Sequence, residues 1–200
     1  SSSVVFVLVN TALHLIAQAN TESNPNSVEN SLQPMLESRY KIDLIEWLRH
    51  LPLLFIDDTY QTVLVHAGLH PHWSLLESQQ YANEVEELIR GHGAERFLKV
   101  MYGDKPKRWS EQLSGFDRYR MVINCLTRMR YVSPDIELDF VEKNHPEECQ
   151  NLTLIQWFEI ENRENREYRI IFGHWSHLKF YSKNNITCLD GGCVLGGELV

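Results

Sequence analysis

Two histidines follow two apolar runs in this sequence, and their context most strongly suggests chemistry. His66 follows Thr62-Val63-Leu64-Val65, and His174 follows Ile170-Ile171-Phe172 and one glycine. Runs of β-branched and aromatic residues predict buried strands, so each histidine lies at the C-terminal end of a strand. A neutral imidazole beside a small residue can there reach a metal in a crevice above the sheet. The alternative, two histidines satisfied within loops, weighs about equally.

Asn10 occupies a similar position, directly after the apolar run at residues 4–9. An amide oxygen can join a hard or borderline metal site. Because residues 13–18 have a helical pattern, the same asparagine is also typical of a helix cap, and taken alone that interpretation is favoured.

Two arginines, Arg128 and Arg130, lie in the segment Thr127-Arg128-Met129-Arg130. The guanidinium fork matches phosphate oxygens and keeps its charge at any relevant pH. Arginines at the C-terminal end of a helix also interact favourably with the negative end of the helix dipole. By pattern alone, this structural interpretation is the stronger one.

Other polar and aromatic residues give weaker indications. Asp104 and Asp190 adjoin glycines, which favours turns over metal binding. His70 and His72 form a His-x-His pair without a recognised metal-site spacing. Aromatic side chains that could stack on a base, but more often belong to a core or lid, are Trp73, Tyr102 and Trp109.

The predicted elements place these residues at strand and helix ends. Strands are expected at residues 4–9, 52–56, 61–65, 137–141, 168–172, 179–181 and 187–190, with a closing hairpin of 194–195 and 198–200. Helices are expected at 13–18, 43–50, 75–102 with a break at Gly91–Gly93, and 118–131, and a polar loop at 20–31. This order indicates an α/β (α+β) fold whose β-rich core carries a helical insertion at roughly 75–131, within one domain over residues 1–200.

Composition narrows the function further. The chain has 200 residues and a net charge of -8, which argues against a nucleic-acid-binding surface. It has no apolar run of about 18 residues, so no membrane span is expected. Its four cysteines lack the Cys-x-x-Cys spacing of a zinc site and fit the reducing cytoplasm as well as two disulfides. Because the chain begins without methionine and enters an apolar run at once, we expect an incomplete domain.

Several motifs occur together and in one order along nearly the whole chain. They are Pro52-Leu53-Leu54, Val65-His66-Ala67-Gly68 with Pro71 and Trp73, Met101-Tyr102-Gly103-Asp104 with Pro106 and Trp109-Ser110, Thr127-Arg128-Met129-Arg130, Phe172-Gly173-His174-Trp175, and Leu189-Asp190 with Gly192-Cys193 and Gly196-Gly197. In order and spacing they resemble the symmetrical bis(5'-nucleosyl)-tetraphosphatase family, a branch of the calcineurin-like phosphoprotein phosphatase superfamily. The Tyr-Gly-Asp and Thr-Arg-Met-Arg blocks are specific to this branch.

The resemblance implies a β-sandwich flanked by helices, with two divalent ions, Mn²⁺ or Co²⁺, at the strand ends. It implies hydrolysis of a small dinucleoside polyphosphate, diadenosine tetraphosphate, to two molecules of ADP. Asn10, His66 and His174 match metal ligands of the family, and Arg128 and Arg130 match positions expected to face the polyphosphate.

The chain departs from the family at one motif. Where the family has Gly-Asn-His-Asp, this chain has Val9-Asn10-Thr11-Ala12. The histidine that protonates the leaving group is therefore Thr11, and the aspartate that orients it is Ala12; neither side chain can act in those roles. The family's first two motifs, which supply the other metal ligands, would precede Ser1. The alternative to an enzyme is a catalytically inactive module that still binds nucleotide polyphosphates.

Overall fold

The computed structural model describes residues 4–20 and 31–200, and they form the mixed α/β fold predicted from the sequence. The helices are α1 (Asn10–Asn20), α2 (Gln33–Leu36), α3 (Lys41–Arg49), α4 (Leu75–Arg90), α5 (Ala94–Leu98) and α6 (Gly115–Arg128). The strands are β1 (Leu54–Asp57), β2 (Thr62–Val65), β3 (Tyr131–Val132), β4 (Leu138–Asp139), β5 (Ile155–Gln156), β6 (Arg169–Phe172), β7 (Tyr181–Lys183) and β8 (Ile186–Cys188). Short 3₁₀ turns lie at Pro146–Glu148, Trp157–Glu159, Ser176–Leu178 and Cys193–Leu195.

The larger sheet has five strands in the order β1-β2-β6-β8-β7. Its central strands β2, β6 and β8 are parallel, and the edge strands β1 and β7 pair antiparallel to their neighbours. Leu64 of β2 lies opposite Ile171 of β6. Because parallel strands end at the same edge, this register brings the residues that follow β2 and β6 together. A smaller antiparallel sheet has the order β4-β3-β5.

The predicted hairpin of β1 and β2 is confirmed. Leu54 pairs with Val65 and Asp57 with Thr62 in an antiparallel ladder. The carboxylate of Asp57 closes the connection by accepting the backbone N–H groups of Thr59 and Tyr60 at 2.9 and 3.1 Å. An aspartate that bonds to the backbone two residues later is a common turn-forming arrangement. Along β2 buried and half-buried residues alternate, so it is not buried on both faces as expected.

Helices α4, α5 and α6 occupy the region predicted to be helical, with the expected break between α4 and α5. A capping box starts α4: Ser74 Oγ accepts the backbone N–H of Glu77, whose carboxylate accepts the backbone N–H of Ser74. Helix α3 begins at Lys41, two residues earlier than expected.

The predicted helix at 118–131 is displaced, because α6 runs from Gly115 to Arg128. The backbone becomes extended at Met129, and Tyr131 then pairs with Asp139 and Gln156 in the smaller sheet. The apolar spacing continues past Arg128, but pairing with two distant strands overrides it.

The expected strand at residues 4–9 is wrong. These residues form no regular structure, and Val4 and Phe6 are 74% and 53% exposed. Leu8 N donates to Pro52 O at 2.7 Å, and Val9 O accepts the backbone N–H of Leu13 in α1 at 3.0 Å. A proline has no N–H to donate in return, so Pro52 cannot complete a reciprocal pair with Leu8. Only Leu8 is fully buried in this run.

The expected hairpin at the end of the chain is also wrong. Residues Cys193–Leu195 form a 3₁₀ turn between two glycines in the left-handed region, Gly192 and Gly196. The chain then returns so closely that a Cβ atom on Gly191 would lie 2.2 Å from Glu198 O. Glycine is therefore required at Gly191 by this close approach. The loop expected at 20–31 lies almost wholly outside the described residues.

The core joins the helices to both sheets. Helix α6 buries Met121, Val122, Cys125 and Leu126. Trp73, Trp157 and Trp175 are the largest side chains with almost no exposed surface. The four cysteines are free. None of the helices in the described part of the chain is both long and apolar enough to cross a membrane.

Candidate metal and phosphate site

The structure brings His66 and His174 together at one edge of the larger sheet. His66 follows β2, His174 follows β6, and these strands are parallel neighbours. The backbone N–H of Gly173 donates to His66 O at 2.9 Å, which joins the two strand ends. The imidazole rings consequently lie edge to face, with centroids 4.9 Å apart.

The backbone of His174 is in an unusual conformation, with φ at 65°. A non-glycine residue held there costs about 1–3 kcal/mol and persists only where its surroundings fix it. The neighbouring Trp175 supplies such support, because it is 1% exposed and its indole N–H donates to Lys143 O at 2.9 Å. Strain of this kind is common at binding and catalytic sites.

Asn10 completes a cluster of three side chains. It is the first residue of α1, and its Oδ1 lies 2.9 Å from His66 Nε2. Because an amide oxygen can only accept, His66 Nε2 carries the proton in this arrangement. A metal ion bound at that nitrogen would therefore have to displace the hydrogen bond.

Burial and positive charge both keep the two imidazoles neutral. The pKa of His66 is lowered to about 4, mainly by burial and then by the charge of Arg130. The pKa of His174 is lowered to about 2, mainly by burial, then by the charges of Arg130 and His66. Neutral imidazole is the form that binds a metal.

The cluster fits one side of a metal site but not a complete two-ion centre. In favour of a ligand role, His174 Nε2 is buried with no hydrogen-bond partner among the described residues. Against a complete site, Asn10, His66 and His174 supply no negative charge to offset a divalent ion, and Arg130 adds a positive one. Within residues 4–20 and 31–200, no group of three or more His, Cys, Asp or Glu side chains is placed to hold a metal.

Arg130 lies close to the histidine pair. It follows the end of α6, and its Nη2 donates to His174 O at 3.2 Å. Burial and the charge of Arg128 lower its pKa, while Asp190 raises it. A partly buried cation beside a second cation is well suited to an anion.

Arg128, the last residue of α6, is anchored by polar groups on two sides. Its Nη2 donates to Asp104 Oδ1 at 2.9 Å and its Nη1 to Asn124 Oδ1 at 3.0 Å. Its guanidinium carbon lies 4.4 Å from the centroid of the Phe140 ring. Arg128 acts on the pKa of His174 in two opposite directions, because its backbone hydrogen bond raises that pKa and its positive charge lowers it.

The weaker candidates are placed as follows. Asp190 Oδ1 accepts the backbone N–H of Gly192 at 3.0 Å, as a turn residue does. His70 is 2% exposed and packs on Trp73 with ring centroids 5.0 Å apart. Among the remaining residues, Thr11, His72, Tyr102 and Asp104 are exposed and Ala12 and Trp109 are half-buried.

Two cavities adjoin Asn10, His66 and His174. One, of about 390 Å³, contains His66, His174 and Asp190 in its wall among apolar strand residues. The other, of about 280 Å³, is lined by Asn10, Thr11, His14, Tyr102 and Arg128. The sequence pattern predicts His14 only as part of a helix. Its spacing of three and four residues from Thr11 and Asn10, which puts all three on one helical face, was the available signal.

Comparisons with known proteins agree with the fold and with the motifs. A scan against protein-family models gave no match. Relatives named "Bis(5'-nucleosyl)-tetraphosphatase, symmetrical" align with 98% of this chain. The relative from Thioalkalivibrio sulfidiphilus is 40% identical over 197 residues, which is 72% of its own length. The relative from Nitrosomonas europaea is 42% identical, again over 72% of its length, and that from Klebsiella pneumoniae is 41% identical over 70%.

A solved crystal structure shares the fold. It is of a protein provisionally named a diadenosine tetraphosphatase, with a TM-score of 0.54 and 18% sequence identity. The match covers 96% of this chain and 60% of that one, so this chain spans less than two thirds of its length.

Fold and site together define an α/β protein with histidines and arginines gathered at the ends of parallel strands. The identity over nearly the whole chain is more specific. This chain belongs to the symmetrical bis(5'-nucleosyl)-tetraphosphatase family.

Proposed function

We propose that this chain hydrolyses a dinucleoside tetraphosphate, with diadenosine tetraphosphate giving two molecules of ADP. The relatives' names supply the reaction. The observation in the structure that supports it is the convergence of His66, His174 and Asn10 beside Arg130. Neutral donors and a fixed cation at one sheet edge suit a polyphosphate chain.

The side chains have separable roles in this proposal. Arg128 and Arg130 bind phosphate oxygens, and their existing hydrogen bonds hold them before substrate arrives. His66, His174 and Asn10 are the residues that would contact a divalent ion, for which Mn²⁺ or Co²⁺ is proposed from the family resemblance. The ion would polarise a phosphate group when bound. Because the described donors do not complete such a site, no step of the reaction is derived through it.

The leaving nucleotide receives no proton from Thr11 or Ala12 in this chain. Thr11 and Ala12 stand where the resemblance places a general acid and its orienting carboxylate. Loss of a general acid typically slows a reaction by about 10²–10⁴-fold. We therefore expect turnover well below that of a family member with an intact motif. The four free cysteines support a cytoplasmic location for the reaction.

A second function is favoured by the charge of the site, namely binding of nucleotide polyphosphates without a metal. Arg130 places a positive charge beside two neutral imidazoles and, second to burial, lowers the pKa of both. Arg128 is paired with Asp104, and Asp190 lies near enough to act on Arg130, so the positive field at the imidazoles comes mainly from Arg130. A divalent ion is repelled by such a field and a polyphosphate is attracted.

One experiment separates the two functions. The purified chain is incubated with Mn²⁺ and diadenosine tetraphosphate, and ADP release is followed. Release that His174→Ala abolishes, but that His50→Ala at the exposed end of α3 does not, supports the enzyme. Binding of the tetraphosphate in EDTA, with no ADP release in Mn²⁺, supports the binding module. Failure of both measurements contradicts the proposed function and its alternative.

A further inference from the structure

The cavity of about 280 Å³ beside Asn10 is lined by polar groups other than those of the histidine pair. Its wall consists of an amide, a hydroxyl, an imidazole, a phenol and a guanidinium, from Asn10, Thr11, His14, Tyr102 and Arg128. All five groups can donate a hydrogen bond, and none of these residues carries a carboxylate. Since Asn10 also pairs with His66, the cavity shares a wall residue with the histidine pair.

His14 is held in place from two directions. Its Nε2 lies 2.8 Å from the side-chain nitrogen of Gln18, one turn further along α1. Its ring lies against that of Tyr102, with centroids 5.5 Å apart and planes inclined by 58°. An imidazole fixed in this way loses little rotamer freedom when a ligand binds.

Arg128 gives the cavity its charge. Its side chain is 26% exposed and is paired with Asp104, whose own carboxylate is 59% exposed. The pairing orients the guanidinium but leaves the arginine in the wall of the cavity. Arginine is particularly suited to phosphate because its planar fork can make two parallel hydrogen bonds.

The size of the cavity limits its occupant. At about 280 Å³ it lies at the small end of the range for ligand pockets, about 300–1,000 Å³, and is better matched to part of a nucleotide than to a whole dinucleotide. Donors and a cation without carboxylates select the phosphate end of that nucleotide. A base or ribose carries no negative charge for the guanidinium to match.

We propose that this cavity binds the terminal phosphate of a nucleoside diphosphate, and that His14 is a positioning residue that donates a hydrogen bond to a phosphate oxygen. The inference rests on the proposed function for the nucleotide class of the ligand, but not for turnover. Thr11 and His14 lie in the same wall of the cavity as Arg128.

The test is isothermal titration calorimetry, in which ADP, AMP and inorganic pyrophosphate are each titrated into the protein in EDTA. The wild type is expected to bind ADP and pyrophosphate and to bind AMP more weakly, because AMP lacks the second phosphate, the one that the cavity is proposed to bind. His14→Ala is expected to weaken the affinity for ADP and for pyrophosphate by about tenfold or more, which is the usual effect of losing a hydrogen bond to a charged group. His14→Gln, which keeps a donor, is expected to recover most of that loss.

Matched controls separate binding from folding. His50→Ala, at an exposed histidine hydrogen-bonded within α3, is expected to leave every affinity unchanged. The thermal midpoint of each variant is recorded, so that His14→Gln remains informative if His14→Ala folds poorly. A purely structural role for His14 would lower the midpoint of both variants without separating ADP from AMP.

Three results would overturn the inference. They are wild-type affinity for ADP in both His14 variants, equal affinity of the wild type for ADP and AMP, and no binding of pyrophosphate. Failure of the proposed hydrolysis is a different result, because it appears as absent ADP release in Mn²⁺ while these affinities persist. Where turnover is present, His14→Ala is expected to raise KM by about the same factor as it weakens the affinity, and to change kcat by less than about threefold. This is the pattern expected when an interaction that is equally strong in the ground state and the transition state is removed.

Discussion

Replacing Gly68 by alanine is the sharpest test of how the fold positions His66. Gly68 lies two residues after His66, against a buried wall formed by Trp157 and Met129. A Cβ atom added there would lie 2.7 Å from Trp157 Cε2, 2.8 Å from Trp157 Nε1 and 3.0 Å from Met129 Cε. Trp157 is 0% exposed, so its ring cannot move aside without disturbing the core.

The size of the effect follows from overpacking. Extra methyl groups forced into a filled core typically cost about 1–3 kcal/mol. For a chain of about 200 residues, each kcal/mol lowers the thermal midpoint by about 2–4 °C. Gly68→Ala is therefore expected to lower the midpoint by about 2–12 °C. Because the loop that holds Gly68 begins at His66, affinity for ADP is expected to fall as well.

Thermal unfolding and urea unfolding of the purified variant measure this loss, with Gly93→Ala as the matched control. A Cβ on Gly93 would meet the mobile end of Leu88 at 3.2 Å, and the backbone φ of -82° suits alanine. The control is expected to change the free energy of unfolding by less than about 1 kcal/mol, as compatible Gly→Ala changes do. A Gly68→Ala variant as stable as the wild type would show that Trp157 does not close this space, and would refute the packing argument.

Three further results are expected. Thr11→His combined with Ala12→Asp is expected to raise ADP release from diadenosine tetraphosphate by about 10²–10⁴-fold, by restoring a general acid and its orienting carboxylate, and unchanged release would count against the proposed reaction. Burial and the charge of His72 lower the pKa of His70 from 6.5 to about 3 in the folded protein. As the pH falls below about 6.5, the imidazole of His70 is protonated in the unfolded chain but not in the folded one, so the free energy of unfolding decreases. In urea unfolding, the free energy of unfolding of His70→Asn is expected to fall by up to about 1.4 kcal/mol less per pH unit than that of the wild type. Parallel pH profiles of the two proteins would contradict this. In the native protein a thiol reagent is expected to label the exposed Cys193, whereas Cys125, whose pKa is raised by complete burial, is labelled only in urea.

The sequence determined the local elements and the identity of the ligand-like residues. Alternating and continuous apolar runs were enough to predict β2 and β6, because a buried strand leaves a strong local pattern. The capping pair Ser74 and Glu77 likewise starts α4 through contacts three residues apart. The motifs identified the family, which the relatives then showed.

Only the tertiary structure decided which residues meet. The parallel register of β2 and β6 places His66 and His174 side by side across more than a hundred residues of chain, and no local pattern encodes that pairing. The 2.9 Å contact between Asn10 Oδ1 and His66 Nε2 likewise places Asn10 beside the histidine pair. The sequence could not decide this, because an asparagine that caps a helix and one that binds a metal have the same local pattern.

The errors have the same physical origin. Residues 4–9 have the composition of a strand, but a strand requires hydrogen bonds in both directions with a neighbour, and their contact with the neighbouring segment is to Pro52, which cannot donate one. Helix α6 stops at Arg128, because Tyr131 finds two strand partners that lie far away in the sequence. Composition and spacing specify what a segment is able to form, and long-range pairing selects what it does form.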